Sequence, residues 1–113
     1  MKTTMAVEVK ESIEEYYILD VRDSEEYEER SIEGSHNIPL RMILVSEYPG
    51  SMGFYLSKIP KEKIILLYCS SGKRAVQAEA VLTKRGFDVV NVMKYEHAED
   101  FVSSLRKISE NER

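Results

Sequence analysis

The stretch Ile64-Ile65-Leu66-Leu67-Tyr68-Cys69-Ser70-Ser71-Gly72-Lys73-Arg74 decides the fold. Its first six residues form an unbroken apolar run of strand length, the pattern of a parallel strand covered on both faces. A polar turn containing one glycine follows, then Arg74 to Arg85, where Ala75, Ala78 and Leu82, with Val81 beside them, recur at helical spacing. Gly86 stands where a helix ends on a left-handed residue. Strand, tight turn and helix in this order predict one βα unit of an α/β layer fold.

Working outward, the same alternation recurs. Tyr16 to Val21 reads as a second central strand, and Asp23-Ser24-Glu25-Glu26 as a capping box opening a short helix from Ser24 to Arg30, closed at Gly34. Asn37-Ile38-Pro39-Leu40 predicts a brief strand that stops at the proline, which has no N–H for a ladder. Asp88 to Val92 predicts another parallel strand, and Glu96 to Lys107 a closing helix with Phe101, Leu105 and Ile108 on one stripe. At the other end, Met5 to Val9 reads as a short edge strand and Lys10 to Glu15 as a turn or short helix. Between Arg41 and Ile59 the pattern predicts one or two short helices with a loop at residues 48–53, and Ser109 to Arg113 is expected to fray. Together these place residues 1–113 in a single domain with its core at about residues 5–108.

Composition narrows the function. At 113 residues and 42% hydrophobic, the chain can bury roughly two thirds of its unfolded surface, enough for one core. Its longest apolar run, six residues, is far short of a membrane span, and the N-terminus lacks a secretory h-region, so a cytoplasmic protein is expected. One cysteine rules out an intrachain disulfide, and two separated histidines supply no ligand set for zinc; no metal or cofactor is expected. The net charge of −4 conceals an asymmetry: Glu8 to Glu33 holds eleven acidic and three basic residues, whereas Lys58 to Arg85 holds seven basic and two acidic. The cysteine lies inside the basic stretch. A pI near 5.3 and the lack of aromatics among the basic residues argue against a nucleic-acid surface.

Cys69 therefore sits at the carboxyl end of a central strand, where open α/β sheets bind ligands. Residues 70–74 contain no proline, so each offers a backbone N–H, and Gly72 can adopt the positive φ that curls successive amides inward. These amides, the dipole of the following helix and the charges of Lys73 and Arg74 predict an anion site that favours a thiolate. A buried structural cysteine is the plain alternative, but it has no need of an amide-rich, doubly cationic loop after it.

Cys69-Ser70-Ser71-Gly72-Lys73-Arg74 resembles the active-site loop of rhodanese-like sulfurtransferases, commonly C-x-x-G-x-R. The resemblance extends to Ile18-Leu19-Asp20-Val21-Arg22 followed by Glu26-Tyr27, similar to the family's D-V-R and E-[YF]. It continues through Ile32-Glu33-Gly34-Ser35-His36-Asn37-Ile38-Pro39 and Gly86-Phe87-Asp88-Val89-Val90. It implies a three-layer α/β/α rhodanese-like fold with a central, mostly parallel five-stranded sheet. It also implies a mechanism in which Cys69 takes sulfane sulfur from thiosulfate or another persulfide donor. The amides of Ser70, Ser71, Gly72, Lys73 and Arg74 would cradle the persulfide, Arg74 would hold a small anionic donor and Lys73 would attract it. With no second thiol in the sequence, the sulfur must pass to an external acceptor: cyanide, a small thiol or a protein thiol. An alternative is a relay or regulatory module loaded by a protein partner with little free turnover.

Related phosphatases and arsenate reductases use C-x5-R, and the position for that arginine here is Ala75, so the loop is the shorter, sulfur-sized one. Met93-Lys94-Tyr95 stands where the family commonly has Gly-Gly and then Trp, which alters the pocket rim. Among supporting residues, Asp20 reads as a hydrogen-bond acceptor near the pocket, and Arg22 as an ion pair with Glu26. His36 and His97 are expected partly exposed. Met42, Met52, Met93, Tyr48, Phe54 and Tyr55 either line the pocket or, as expected for most of them, serve in ordinary core and loop packing, with residues 41–59 in a position to close over the site.

Overall fold

A computed structural model of the protein describes residues 10–47 and 55–111. In chain order these form a 3-10 turn at Ile13–Glu15, β1 (Tyr16–Asp20), α1 (Ser24–Glu29), β2 (His36–Asn37) and α2 (Leu40–Val45). A 3-10 turn at Leu56–Lys58, β3 (Ile64–Cys69), α3 (Lys73–Lys84), β4 (Asp88–Lys94) and α4 (Tyr95–Asn111) follow. The strands make one parallel sheet in the order β2-β1-β3-β4. Four strands are thus present among the described residues rather than the expected five; the edge strand expected at Met5–Val9 lies outside them.

Every residue of β3 is buried, and the strand period of two sends its side chains alternately into two cores. Ile65, Leu67 and Cys69 join Leu19 and Val89 beneath α3, which contributes Ala75, Ala78, Val81 and Leu82. Leu40 and Ile43 of α2 close the same core. Ile64, Leu66 and Tyr68 face the opposite layer, where Ala98, Val102 and Leu105 of α4 cover them. Each large apolar side chain so buried contributes about 1.5–3 kcal/mol. The three-layer α/β/α arrangement is the one expected.

Local chemistry sets the boundaries. Pro39 ends β2 after two residues and caps α2, its φ of −55° and missing N–H suiting a helix start, so the strand expected to reach Leu40 stops at Asn37. The expected fraying from Ser109 is corrected: α4 runs on to Asn111, because half-buried Ile108 prolongs the apolar stripe by a turn. At the other end, Tyr95 starts α4 one residue before the expected Glu96, its ring edge-on to Tyr68 at 5.6 Å.

Gly86 terminates α3 at φ +92°, with its N–H donating to Thr83 O at 3.0 Å and that of Phe87 to Leu82 O at 3.1 Å. Gly86→Ala forces a side chain into the left-handed region and lowers unfolding stability by about 1–2 kcal/mol, read as a reduced urea midpoint at unchanged slope.

Candidate active site

Cys69 ends β3 at the carboxyl edge of the sheet, between β1 and β4. The chain turns through Ser70 and Ser71, both exposed, to Gly72, which caps α3 at φ +103°. Two backbone amides meet the sulfur: Gly72 N–H donates to Cys69 Sγ at 3.0 Å and Ala75 N–H at 3.3 Å. A thiol is a poor hydrogen-bond acceptor and a thiolate a good one, so this arrangement suits negative charge on sulfur. The Ala75 amide is an addition to the sequence reading, which counted residues 70–74. It donates because the first amides of a helix have no partner within it. Cys69 is 0% exposed.

Arg74 lies in the first turn of α3, and its guanidinium grips Glu26, with Nη1 donating to Oε1 at 2.7 Å and Nη2 to Oε2 at 3.2 Å. Glu26 also accepts from Asp23 N at 2.9 Å, completing the capping box of α1, and from Ser70 Oγ at 3.2 Å. One carboxylate therefore ties the start of α1 to the loop after Cys69. The Arg74 guanidinium, more than its partial burial opposes, holds the Glu26 carboxyl well below the usual carboxylate range, at about 2. Sequence reasoning found Glu26 as a cap but missed its place at the site, since a contact across 48 positions leaves no local signal.

The ion pair expected between Arg22 and Glu26 is corrected. Arg22 pairs with Asp20, its Nε donating to Oδ1 at 3.0 Å and Oδ2 at 2.9 Å, and its Nη2 lies 2.7 Å from Oδ2. The backbone N of Arg22 adds a bond to Oδ1 at 2.8 Å, so the short loop back to Asp20 outcompetes a reach to Glu26. Asp20 is 0% and Arg22 7% exposed, and Asp20 is an acceptor in this structure, as read from sequence. Arg22 also donates to the carbonyl of Arg30 and lies over the Tyr95 ring at 4.9 Å. Tyr68 Oη, close to Asp20 and Ser35, is buried without a hydrogen bond to either; burial, then the Asp20 charge, raises its ionisation above the usual range.

Met93 packs on the loop after Cys69 and not in the core. It is 38% exposed and its φ is +73°, the one positive value outside glycine among the described residues. A bulge that skips Val92 sets this conformation, pairing Tyr68 with Met93 and Cys69 with Lys94 where Leu67 pairs with Asn91. Met93 N donates to Asn91 Oδ1 at 2.9 Å, and Asn91 Nδ2 to Glu79 Oε1 at 3.0 Å, so α3 helps hold the bend. The left-handed backbone costs about 1–2 kcal/mol. Its result is to lay the Met93 side chain on Gly72: a Cβ there would meet Met93 Cε at 2.9 Å. Backbone pairing of Ser71 with Lys94 fastens the loop on the same side.

Beside the loop lies a cleft of about 260 Å³, lined by Arg22, Glu26, Arg30, Ser70, Tyr95 and Glu96 among others. His36, exposed as expected, instead stacks on Tyr17 at 4.2 Å in a cavity of about 540 Å³ that shares no residue with the Cys69 loop. His97 is also exposed, and Met42 packs on the core. Of the expected closing segment, α2 and the turn at Leu56–Lys58 are core elements; residues 48–54, with Tyr48, Met52 and Phe54, lie outside the described residues. Among the described residues no cluster of potential metal ligands occurs, and no helix is long and apolar enough to cross a membrane.

Asp20→Ala leaves the Arg22 guanidinium buried without its partner and is expected to cost about 3–5 kcal/mol, measured by urea unfolding. Glu26 is half-exposed, so its contribution is smaller, about 1 kcal/mol or less. Because its folded pKa lies below the unfolded 4.5, that contribution is present above pH 4.5 and disappears as pH falls towards 2. Glu26→Gln should accordingly flatten the fall of Tm across that window while lowering Tm at neutral pH.

Comparison with known proteins agrees with this geometry. A family model described as a rhodanese-like domain matches residues 5–96. The chain is 34% identical over 74 residues to a putative mitochondrial thiosulfate sulfurtransferase of Schizosaccharomyces pombe, covering 62% of this chain and 52% of that protein. It is likewise 34% identical over 84 residues to the putative sulfur carrier protein YrkF of Bacillus subtilis, covering 74% of this chain and 40% of that one. It therefore spans about half or less of the length of these relatives. The crystal structure of a rhodanese-like domain protein from Staphylococcus aureus superposes with a TM-score of 0.60 at 28% identity, covering 74% of each chain. With the family model spanning most of the sequence and the cysteine loop, its amide donors and the parallel sheet all in place, the chain belongs to the rhodanese-like domain family.

Proposed function

We propose that this protein is a sulfurtransferase that carries sulfane sulfur as a persulfide on Cys69. The observation that carries this reading is the pair of backbone N–H groups, from Gly72 and Ala75, converging on Sγ at the end of the central strand. In the loading step the Cys69 thiolate attacks the outer sulfur of the donor. The new S–S bond forms as the donor's S–S bond breaks, and the departing group (sulfite from thiosulfate, a thiolate from an alkyl persulfide) leaves with the electron pair. No metal or external oxidant enters the balance. The amides of Ser70, Ser71, Gly72, Lys73 and Arg74 surround the transferred sulfur, and the exposed Lys73 draws anions to the mouth. Asp20 at the end of β1 and Arg22 just after it, paired with each other, are the supporting residues of the site. Arg74 contacts the donor from the position in which it grips Glu26, so its charge reaches the donor already shared with a carboxylate.

Discharge requires a second thiophile. This sequence holds one cysteine, so the persulfide passes to a small thiol, a protein thiol or, in an assay, cyanide. The free thiol suits a reducing, cytoplasmic setting. A role as a relay module draws support from relatives named as a sulfur carrier and as an adenylyltransferase/sulfurtransferase.

Incubation with thiosulfate or cysteine persulfide should add the mass of one sulfur atom to the intact protein, with later cyanide treatment releasing thiocyanate and restoring the original mass. Cys69→Ala should gain nothing. Wild-type protein that stays unmodified by every small donor yet loads from a persulfide-bearing protein would favour the relay role; no modification from either source would refute sulfur transfer.

A further inference from the structure

We infer that Met93 is a specificity-determining residue which turns the proposed sulfur-transfer site towards alkyl persulfides and away from small inorganic oxyanion donors. The inference rests on the sulfurtransferase reading and narrows its donor class.

Three features of the site converge on it. Cys69 is fully buried, so a donor must reach its sulfur through the wall of the loop. On the Gly72 face that wall is the Met93 side chain, close enough that a Cβ on Gly72 would stand 3.3 Å from Met93 Cβ and 3.7 Å from Sδ. Gly72 is the residue whose amide meets the Cys69 sulfur, so Met93 packs directly on one of the two donor residues. The side chain is placed there by a strained backbone at φ +73°, a conformation that glycine would adopt freely and that the bulge and Asn91 impose here. At the same time the arginine that would offset a dianion is bound to Glu26 through both guanidinium nitrogens.

The chemical consequence follows from hydration. Thiosulfate brings a compact, doubly charged group whose three terminal oxygens lose water against the thioether without gaining a donor from it. An alkyl persulfide brings its reacting sulfur on an apolar stem, which the flexible, polarizable methionine can receive at little desolvation cost. Lys73 and Lys94, both exposed beside the loop, attract the thiosulfate dianion at least as strongly as a persulfide, so the preference comes from the Met93 contact and not from these charges. In the favoured step the Cys69 thiolate attacks the outer sulfur of R–S–SH, the S–S bond of the donor breaks, R–S⁻ departs and Cys69 retains the S–SH group. Sulfur, proton and charge balance without a further reactant.

The test compares second-order rates of Cys69 persulfidation by thiosulfate and by cysteine persulfide, followed by intact mass, in wild type, Met93→Gly and Met93→Leu. Glycine suits the local φ, so folding is retained, checked by circular dichroism. The expected result is a rise of about tenfold in the thiosulfate-to-persulfide rate ratio for Met93→Gly, with Met93→Leu restoring the ratio towards wild type. A ratio in Met93→Gly that is unchanged or lower overturns the inference while leaving sulfur transfer intact. If neither donor loads any variant, transfer from small donors has failed, and the Met93 wall is judged by alkylation of Cys69 with iodoacetate and iodoacetamide. These reagents differ in charge and little in size. Their acetate-to-amide ratio rises in Met93→Gly if Met93 selects against anions and stays constant if it does not.

Discussion

Six consecutive residues without an exposed face, Ile64–Cys69, leave this chain one way to cover them, a helical layer on each side of a parallel sheet. The alternation of side chains along β3 then distributes the work. Leu67 and Cys69 go to the α3 layer, Leu66 and Tyr68 to the α4 layer. Because Cys69 is the last of the six, the sulfur is held by the packing of the strand yet stands where the chain must turn. The helix that covers it begins four residues later and aims its unpaired amides back at it. Burial of the sulfur and its contact with backbone donors arise here from the same placement.

Glu26 connects this centre to the rest of the molecule. It caps α1 through Asp23, holds Ser70 and binds Arg74, so a helix of six residues with no buried side chain becomes part of the frame around the Cys69 loop. The pair also sets the electrostatics. A loop that reads as doubly cationic in sequence has one of its charges matched by a carboxylate. The remaining attraction for anions comes from backbone amides and exposed lysines. A second pair, Asp20 with Arg22, is more deeply buried and bonded through both the side chain and the backbone amide, which is the condition for a buried ion pair to hold its place.

Much of this was legible in the sequence. The apolar run to Cys69, the glycine turn, the Ala75-Ala78-Leu82 stripe and the Gly86 stop are local patterns, and each produced its element within a residue or two. Asp20 was legible as an acceptor from its type and place, but its partner was not, because Glu26 at helical spacing competes with Asp20 for Arg22 in the sequence. Contacts set by the sheet were not legible either. The pairing of Glu26 with Arg74 depends on α1 and α3 arriving at the same edge, and the position of Met93 depends on a bulge defined only against β3. A methionine reads as packing in any sequence window; its left-handed backbone is a property of the ladder.

The sequence by itself determined the layer fold, the strand that bears the cysteine and the amide-rich turn that follows, because periodicity, turn chemistry and helix-end residues act over a few positions. Tertiary structure alone decided which amides reach the sulfur, which carboxylate neutralises Arg74, and what covers Gly72. Those relations join residues far apart in the chain, and their energies depend on distances that exist only once the strands are in register.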